Sequence, residues 1–341
     1  MDLLGAAWMI RDHGESVSAL HLSDDGSLLV GGWEGLLKSW SPDGDLIWAT
    51  DCGERISSII IENDRIFLTA GLNITCVEQG SIIWSHKLEG SADEVIIHEE
   101  KVVVTSSVYD IEHGDFMESA IWRFAIDGEL LSVERIDEKP WAIASLDGLR
   151  VGLGRPRCGM LVDEKVTALS TESPVTCGIN NSQLLLFGHA DGTVSKHDGS
   201  LFSKTDNAIV SLSLSQNLVS IGDDQGGLEV MTTDGEKLWQ SQGGKLTGQT
   251  IGFSQTHWCG RNAGQTNQIE ARCVKGELLA SAEVAQVMAL AHQGDRVAAG
   301  FEDGSLAIWQ KSLFDRRKEV DISANDSHRS DLAAKLRSLR E

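Results

Sequence analysis

The chain has 341 residues, with 51 Asp and Glu against 29 Lys and Arg, for a formal net charge of -22. Long-range electrostatics therefore oppose docking on phosphate backbones or anionic lipid, so direct nucleic-acid or membrane contact is disfavoured. Glycine is frequent (35) and proline scarce (4), and Val, Ile, Leu and Trp sit in short runs, which suits many strands and tight turns better than long helices.

The chain opens with MDLLGAAWMIRDHGE, which lacks the basic start of a secretory signal. No apolar run reaches the roughly 18 residues of a membrane helix. The six cysteines, Cys52, Cys76, Cys158, Cys177, Cys259 and Cys273, show no CxxC pair and read as buried free thiols. A soluble cytoplasmic protein is the expectation.

A pattern then recurs along the chain: an apolar run, a second run ending in Gly or Ser, a third run, a turn, and a fourth run that often carries Trp. The first runs start near Val17, Ile56, Val95, Ala142, Val175, Ile209, Thr250 and Val287. Eight starts at this interval predict four-stranded propeller blades. The first unit reads SVSALHLS, GSLLVGG, GLLKSWS, DLIWATD, with Asp25-Gly26, Glu34-Gly35 and Asp43-Gly44 between the runs. Such pairs suit tight hairpins, because glycine accepts positive φ and aspartate caps its own backbone. Asp127-Gly128, Asp191-Gly192, Asp198-Gly199, Asp234-Gly235 and Asp303-Gly304 repeat this chemistry. The units near Ala142 and Val175 are short and that near Thr250 is irregular, so seven blades with an elaborated loop is the alternative count.

The last unit supplies VMALAHQ, RVAAGFE and SLAIWQ, then runs into KSLFDRRKEV, a poor fourth strand. The opening AAWMIRD supplies the missing one. The expected fold is all-β: an eight-bladed β-propeller over 1–310, closed by its N-terminal strand. A linker over 311–328 and a short C-terminal amphipathic helix over 329–341 follow.

FEDGSLAIWQ at 301–310 and GGWEGLLKSW at 31–40 resemble the closing strands of WD-repeat propellers, although Gln310 and Ser41 stand where that family places Asp. DGDLIWAT, GSIIWSHK and DGEKLWQS resemble the repeats of pyrroloquinoline-quinone-type propellers, a likeness that implies inter-blade packing for Trp48, Trp84 and Trp239. The quinoprotein dehydrogenases of that superfamily use an adjacent cysteine pair, which this chain lacks, so the likeness implies fold rather than chemistry.

No catalytic set, metal set or cofactor is assigned. His189, Asp191, His197 and Asp198 form the densest His-Asp cluster, His257 stands beside Cys259, and GDDQGG at 222–227 holds adjacent carboxylates. Each is more simply a hairpin or strand feature. HExxH, GxSxG and a Walker loop are absent. The alternative to a binding role is a small-ligand or enzymatic propeller, metal-dependent or not, with its site at the channel mouth.

Three features point to partners. Arg150, Arg155 and Arg157 gather around Gly152 and Gly154 in an acidic chain, a composition suited to carboxylates or phosphates. IEHGDFMES interrupts one unit and places Phe116 and Met117 on a surface loop. In SDLAAKLRSLRE, Leu332, Leu336 and Leu339 form one apolar stripe on a helix capped by Ser330, which either folds back on the acidic ring or enters a partner's groove. The expected function is a non-enzymatic scaffold or adaptor that binds protein partners through the propeller face and the C-terminal helix.

Overall fold

The structure, a computed structural model, describes residues 1–112, 114–162 and 164–319. Among the described residues, thirty-two strands form eight four-stranded antiparallel sheets. Seven take four consecutive strands, the first being Val17–Leu22, Leu28–Gly32, Leu36–Trp40 and Leu46–Asp51. The eighth combines Val287–Gln293, Arg296–Phe301 and Ser305–Gln310 with Met9–Asp12 from the amino terminus. The closing strand pairs Met9 with Ile308 and Asp12 with Ser305. The first strand of each blade touches that of the next, and the eighth returns to the first, which closes the ring. The short unit near Ala142 is complete, with an outermost strand of only three residues, Lys165–Thr167, so the count is eight rather than seven.

Five innermost strands begin at the expected residues, whereas three begin earlier, at Ser91, Pro140 and Lys245. Each of these carries a register shift near its start, between Ala92 and Val95, Pro140 and Ala142, and Leu246 and Gly248. A bulge breaks the apolar alternation that would mark the strand start in sequence. The other five innermost strands shift at the same place, as between Val17 and Ala19, so the bulge belongs to the repeat.

The glycines that end the second runs make room between blades. A Cβ on Gly31 would lie 2.6 Å from Ile56, on Gly188 2.5 Å from Ile209, on Gly260 2.4 Å from Val287, and on Gly300 2.3 Å from Val17. Each facing residue is β-branched, fully or nearly fully buried, and opens the next blade. Around the perimeter, Trp48, Trp84 and Trp239 rest on Gly80, Gly128 and Gly276 of the following blade, at 2.9, 2.7 and 2.8 Å from the missing Cβ. The Asp-Gly turns form as expected: Gly26, Gly128, Gly192, Gly199, Gly235 and Gly304 all have positive φ, and Asp25 and Asp303 accept the backbone N–H two residues on, at 2.8 and 2.9 Å.

Residues 311–319, expected as the start of a linker, are helical. Phe314 is buried against Phe253 and Trp258, both at 5.5 Å between ring centroids, and this aromatic anchor stabilises a turn sequence too short to hold a helix alone. Trp309 donates to the Leu3 carbonyl at 2.8 Å and Arg317 to that of Ala7 at 3.0 Å, so the amino-terminal segment and residues 309–317 are bound together beside the eighth blade. The predicted 329–341 helix, with Leu332, Leu336 and Leu339, lies outside the described residues, as does 320–328. No helix among the described residues is long and apolar enough to cross a membrane.

Candidate functional site

Antiparallel order places two sets of connections on opposite faces. One face, called upper here, carries the second-to-third and outermost-to-innermost connections; the lower carries the remaining turns and residues 311–319. The upper face has one projection. In the third blade the second and third strands, Lys101–Asp110 and Asp115–Ala125, run past their neighbours. Pairing to the innermost strand stops at Ser107 and to the outermost at Ser119, yet the two long strands stay paired to Asp110 and Asp115. Residues 108–112 and 114–118 therefore form a two-stranded ribbon above the ring, with no strand on either edge among the described residues.

A register shift between Val108 and Tyr109 leaves Met117 as the extra residue of a bulge, 51% exposed. Tyr109 and Phe116 face each other across the ribbon, 5.1 Å apart edge to face. Phe116 in turn meets Trp141, at the top of the fourth blade's innermost strand Pro140–Ser145, at 5.9 Å and nearly perpendicular. Tyr109 is 53% and Trp141 42% exposed. An aromatic strip thus climbs from the channel mouth to the ribbon, continued by Ile111.

Lys139 holds the strip in place. Its ammonium lies 4.8 Å from the Phe116 ring and 5.5 Å from that of Trp141, and it donates to the Asp93 carboxylate and, at 2.6 Å, to the Ser107 hydroxyl. Both interactions favour the buried cation. Beside Asp93 in the same bulge, Glu94 faces the channel and accepts from the Ser58 hydroxyl at 3.3 Å; the enclosing channel wall raises its carboxyl pKa. Trp141 packs on Gly154, where a Cβ would lie 2.7 Å from the indole nitrogen.

The arginines do not converge. Arg155 and Arg157 are exposed on the upper face, and Arg157 donates to buried Glu138 at 2.5 Å. Arg150 sits at the other end of its strand, donating to the Leu146 carbonyl at 2.7 Å. The Gly154 amide, an expected anion donor, already bonds the Lys139 carbonyl at 2.8 Å. One anion site built from all three arginines is therefore not formed.

The His and carboxylate clusters serve hydrogen bonds. His189 bonds the Ser173 carbonyl and the Ser195 hydroxyl at 2.9 and 2.8 Å, and Asp191 accepts from Thr171, Thr193 and Lys204. Asp223 in GDDQGG accepts from the Gln225 and Gly227 amides at 2.9 and 2.7 Å. His257 meets the Ser220 hydroxyl at 2.9 Å and Gln249 Oε1 at 3.0 Å, and burial pushes its pKa down to about 3. Among the described residues no three His, Cys, Asp or Glu are grouped to hold a metal ion. All six cysteines are free; Cys76 and Cys259 are buried as expected, and the other four are half-buried.

Phe116 and Met117 thus belong to one exposed feature. Sequence reading passed over Tyr109, Lys139 and Trp141, which complete it. The stretch EKPW at 138–141 sets an aromatic two residues from a lysine, which points to nothing without the ribbon next to it.

A family model described as WD domain, G-beta repeat, matches residues 7–41. That span takes the closing strand Met9–Asp12 and the first three strands of the first blade, the offset by which one repeat laces two blades. No curated protein matches the sequence. Among solved structures, the computationally designed Ika8 protein is similar with a TM-score of 0.70 and 18% identity, over 88% of this chain and 98% of that one. BamB from Moraxella catarrhalis is similar at 0.69 and 14%, over 89% and 97%. Sqt1 of Saccharomyces cerevisiae is similar at 0.69 and 13%, over 89% and 98%. At these identities the likeness speaks for the fold. The eight-bladed ring and these structural neighbours give the chain a β-propeller fold, in which residues 7–41 are similar to a WD repeat.

Proposed function

We propose that this propeller is a non-enzymatic cytoplasmic scaffold that docks a protein partner on its upper face. The observation that carries the reading is the strip of Trp141, Phe116 and Tyr109 on a ribbon with two open edges. Exposed aromatics on a rigid element are the residue type that dominates binding energy at protein interfaces, and free strand edges supply main-chain hydrogen bonds to an added segment. The matched WD repeat supports the same role. The second contact, expected from Leu332, Leu336 and Leu339 in residues 329–341, remains part of this proposal.

Tyr109→Ser/Met117→Ser alters two side chains that are each about half exposed, so the ring keeps its core. The full chain and this variant are purified from their own cells and the copurifying proteins quantified. The expected outcome is at least one recurrent partner whose recovery falls several-fold with the variant at an unchanged melting temperature. Recurrent partners recovered equally by both proteins would overturn the ribbon as the docking site.

A further inference from the structure

Resting on the docking surface above, we infer that the strip takes a positively charged segment of a partner protein, extended along the ribbon with an apolar or aromatic residue against Trp141 and Phe116. Three observations select this chemistry. Residues 108–112 and 114–118 of the ribbon carry four carboxylates, Asp110, Glu112, Asp115 and Glu118, and no lysine or arginine. The nearby cations are committed to carboxylates of their own: Lys139 to Asp93 and Arg157 to Glu138. The ring faces of the strip themselves attract ammonium and guanidinium groups, as Lys139 already shows from below.

Spacing agrees with an extended occupant. Same-side residues of a strand are about 6.8 Å apart, close to the steps of 5.1 and 5.9 Å between the strip's ring centroids. A helix would place its same-face residues near this distance as well, but would leave both ribbon edges unused, whereas an added strand satisfies one of them. The net charge of -22 speeds encounter with a basic segment and slows an acidic one.

Three fluorescein-labelled twelve-residue peptides test this against the full chain by anisotropy: one alternating Lys with Phe and Thr, one with Glu replacing Lys, and one with Ser replacing Phe. The Lys/Phe peptide is expected to bind about tenfold or more tightly than either other peptide. Its affinity is expected to fall about tenfold both in Asp110→Asn/Glu112→Gln/Asp115→Asn/Glu118→Gln and in Tyr109→Ser. Preference for the Glu/Phe peptide would overturn the inference. Equal binding of the Lys/Phe and Lys/Ser peptides, insensitive to the variants, would also overturn it by reducing the effect to diffuse attraction to the ring. Loss of cellular partners from Tyr109→Ser/Met117→Ser without Lys/Phe binding would sink the basic-segment inference alone; failure of both experiments would sink the docking surface with it.

Discussion

Lys139 and His257 show two ways in which this ring accommodates a buried basic side chain. Around the Lys139 ammonium, Asp93, Ser107 and two aromatic faces take the place of water. His257 stays neutral between Ser220 and Gln249, with its folded pKa depressed to about 3 against an ordinary 6.5. The unfolded chain therefore takes up this proton first. The stability His257 contributes is complete above about pH 6.5 and is lost as the pH falls from there toward 3. Between pH 6.5 and 5 the loss is about 2 kcal/mol, in a window above the carboxylate range. Urea denaturation at the two pH values should show the midpoint falling, with a smaller fall in His257→Gln. Equal falls in both proteins would assign the effect to His13, His21, His189 and His292, whose pKa values burial also lowers.

At the scale of the element, the first, fifth, seventh and eighth blades each set a glycine of the second strand against a β-branched residue opening the next blade. Gly31→Ala drives a methyl to 2.6 Å from Ile56 in a closed interface and should cost about 1–3 kcal/mol by overpacking. Gly248 makes the contrast: its Cβ would meet nothing nearer than 3.8 Å and its φ is not positive. Gly248→Ala should be neutral or stabilise by about 0.4–1 kcal/mol, through the unfolded chain. Chemical denaturation of the two variants checks both signs. The glycine-ending runs were plain in sequence, but the partner of each glycine lies one blade on and was not. The bulges opening the innermost strands were hidden for a related reason: Asp93 and Glu94 interrupt an apolar run that resumes at Val95, so the strand was read as beginning there.

For the whole molecule, closure depends on both ends. Met9–Asp12 completes the eighth blade, Leu3 takes the Trp309 indole N–H, and Phe314 fills the aromatic cluster beneath. Contacts with the ring thus continue past residue 310 into the helical residues 311–319. A chain ending at 319 should melt close to the full chain. One ending at 310 loses Phe314, worth about 3–5 kcal/mol, and should melt at least about 5 °C lower, as read by thermal unfolding. Equal melting of the two truncations would show that 311–319 adds nothing to the ring.

The propeller pattern, the strand-sharing closure, the Asp-Gly hairpins and the perimeter tryptophans were all legible in the sequence, because they lie in short runs that recur from blade to blade, whereas the choice of eight blades over seven fell to the structure. The interruption carrying Phe116 and Met117 was also legible, as a break in that pattern. Only the tertiary structure decided what the interruption does. It brings Trp141 and Lys139, more than twenty residues away in the next blade, against Phe116, and it sends Arg150 to the face opposite Arg155 and Arg157. Along one strand, a few residues are enough to cross from one face of the ring to the other at about 3.3 Å each, whereas neighbouring blades set distant residues side by side. A repeat announces its own fold, but a site assembled across two blades exists only once the ring is closed.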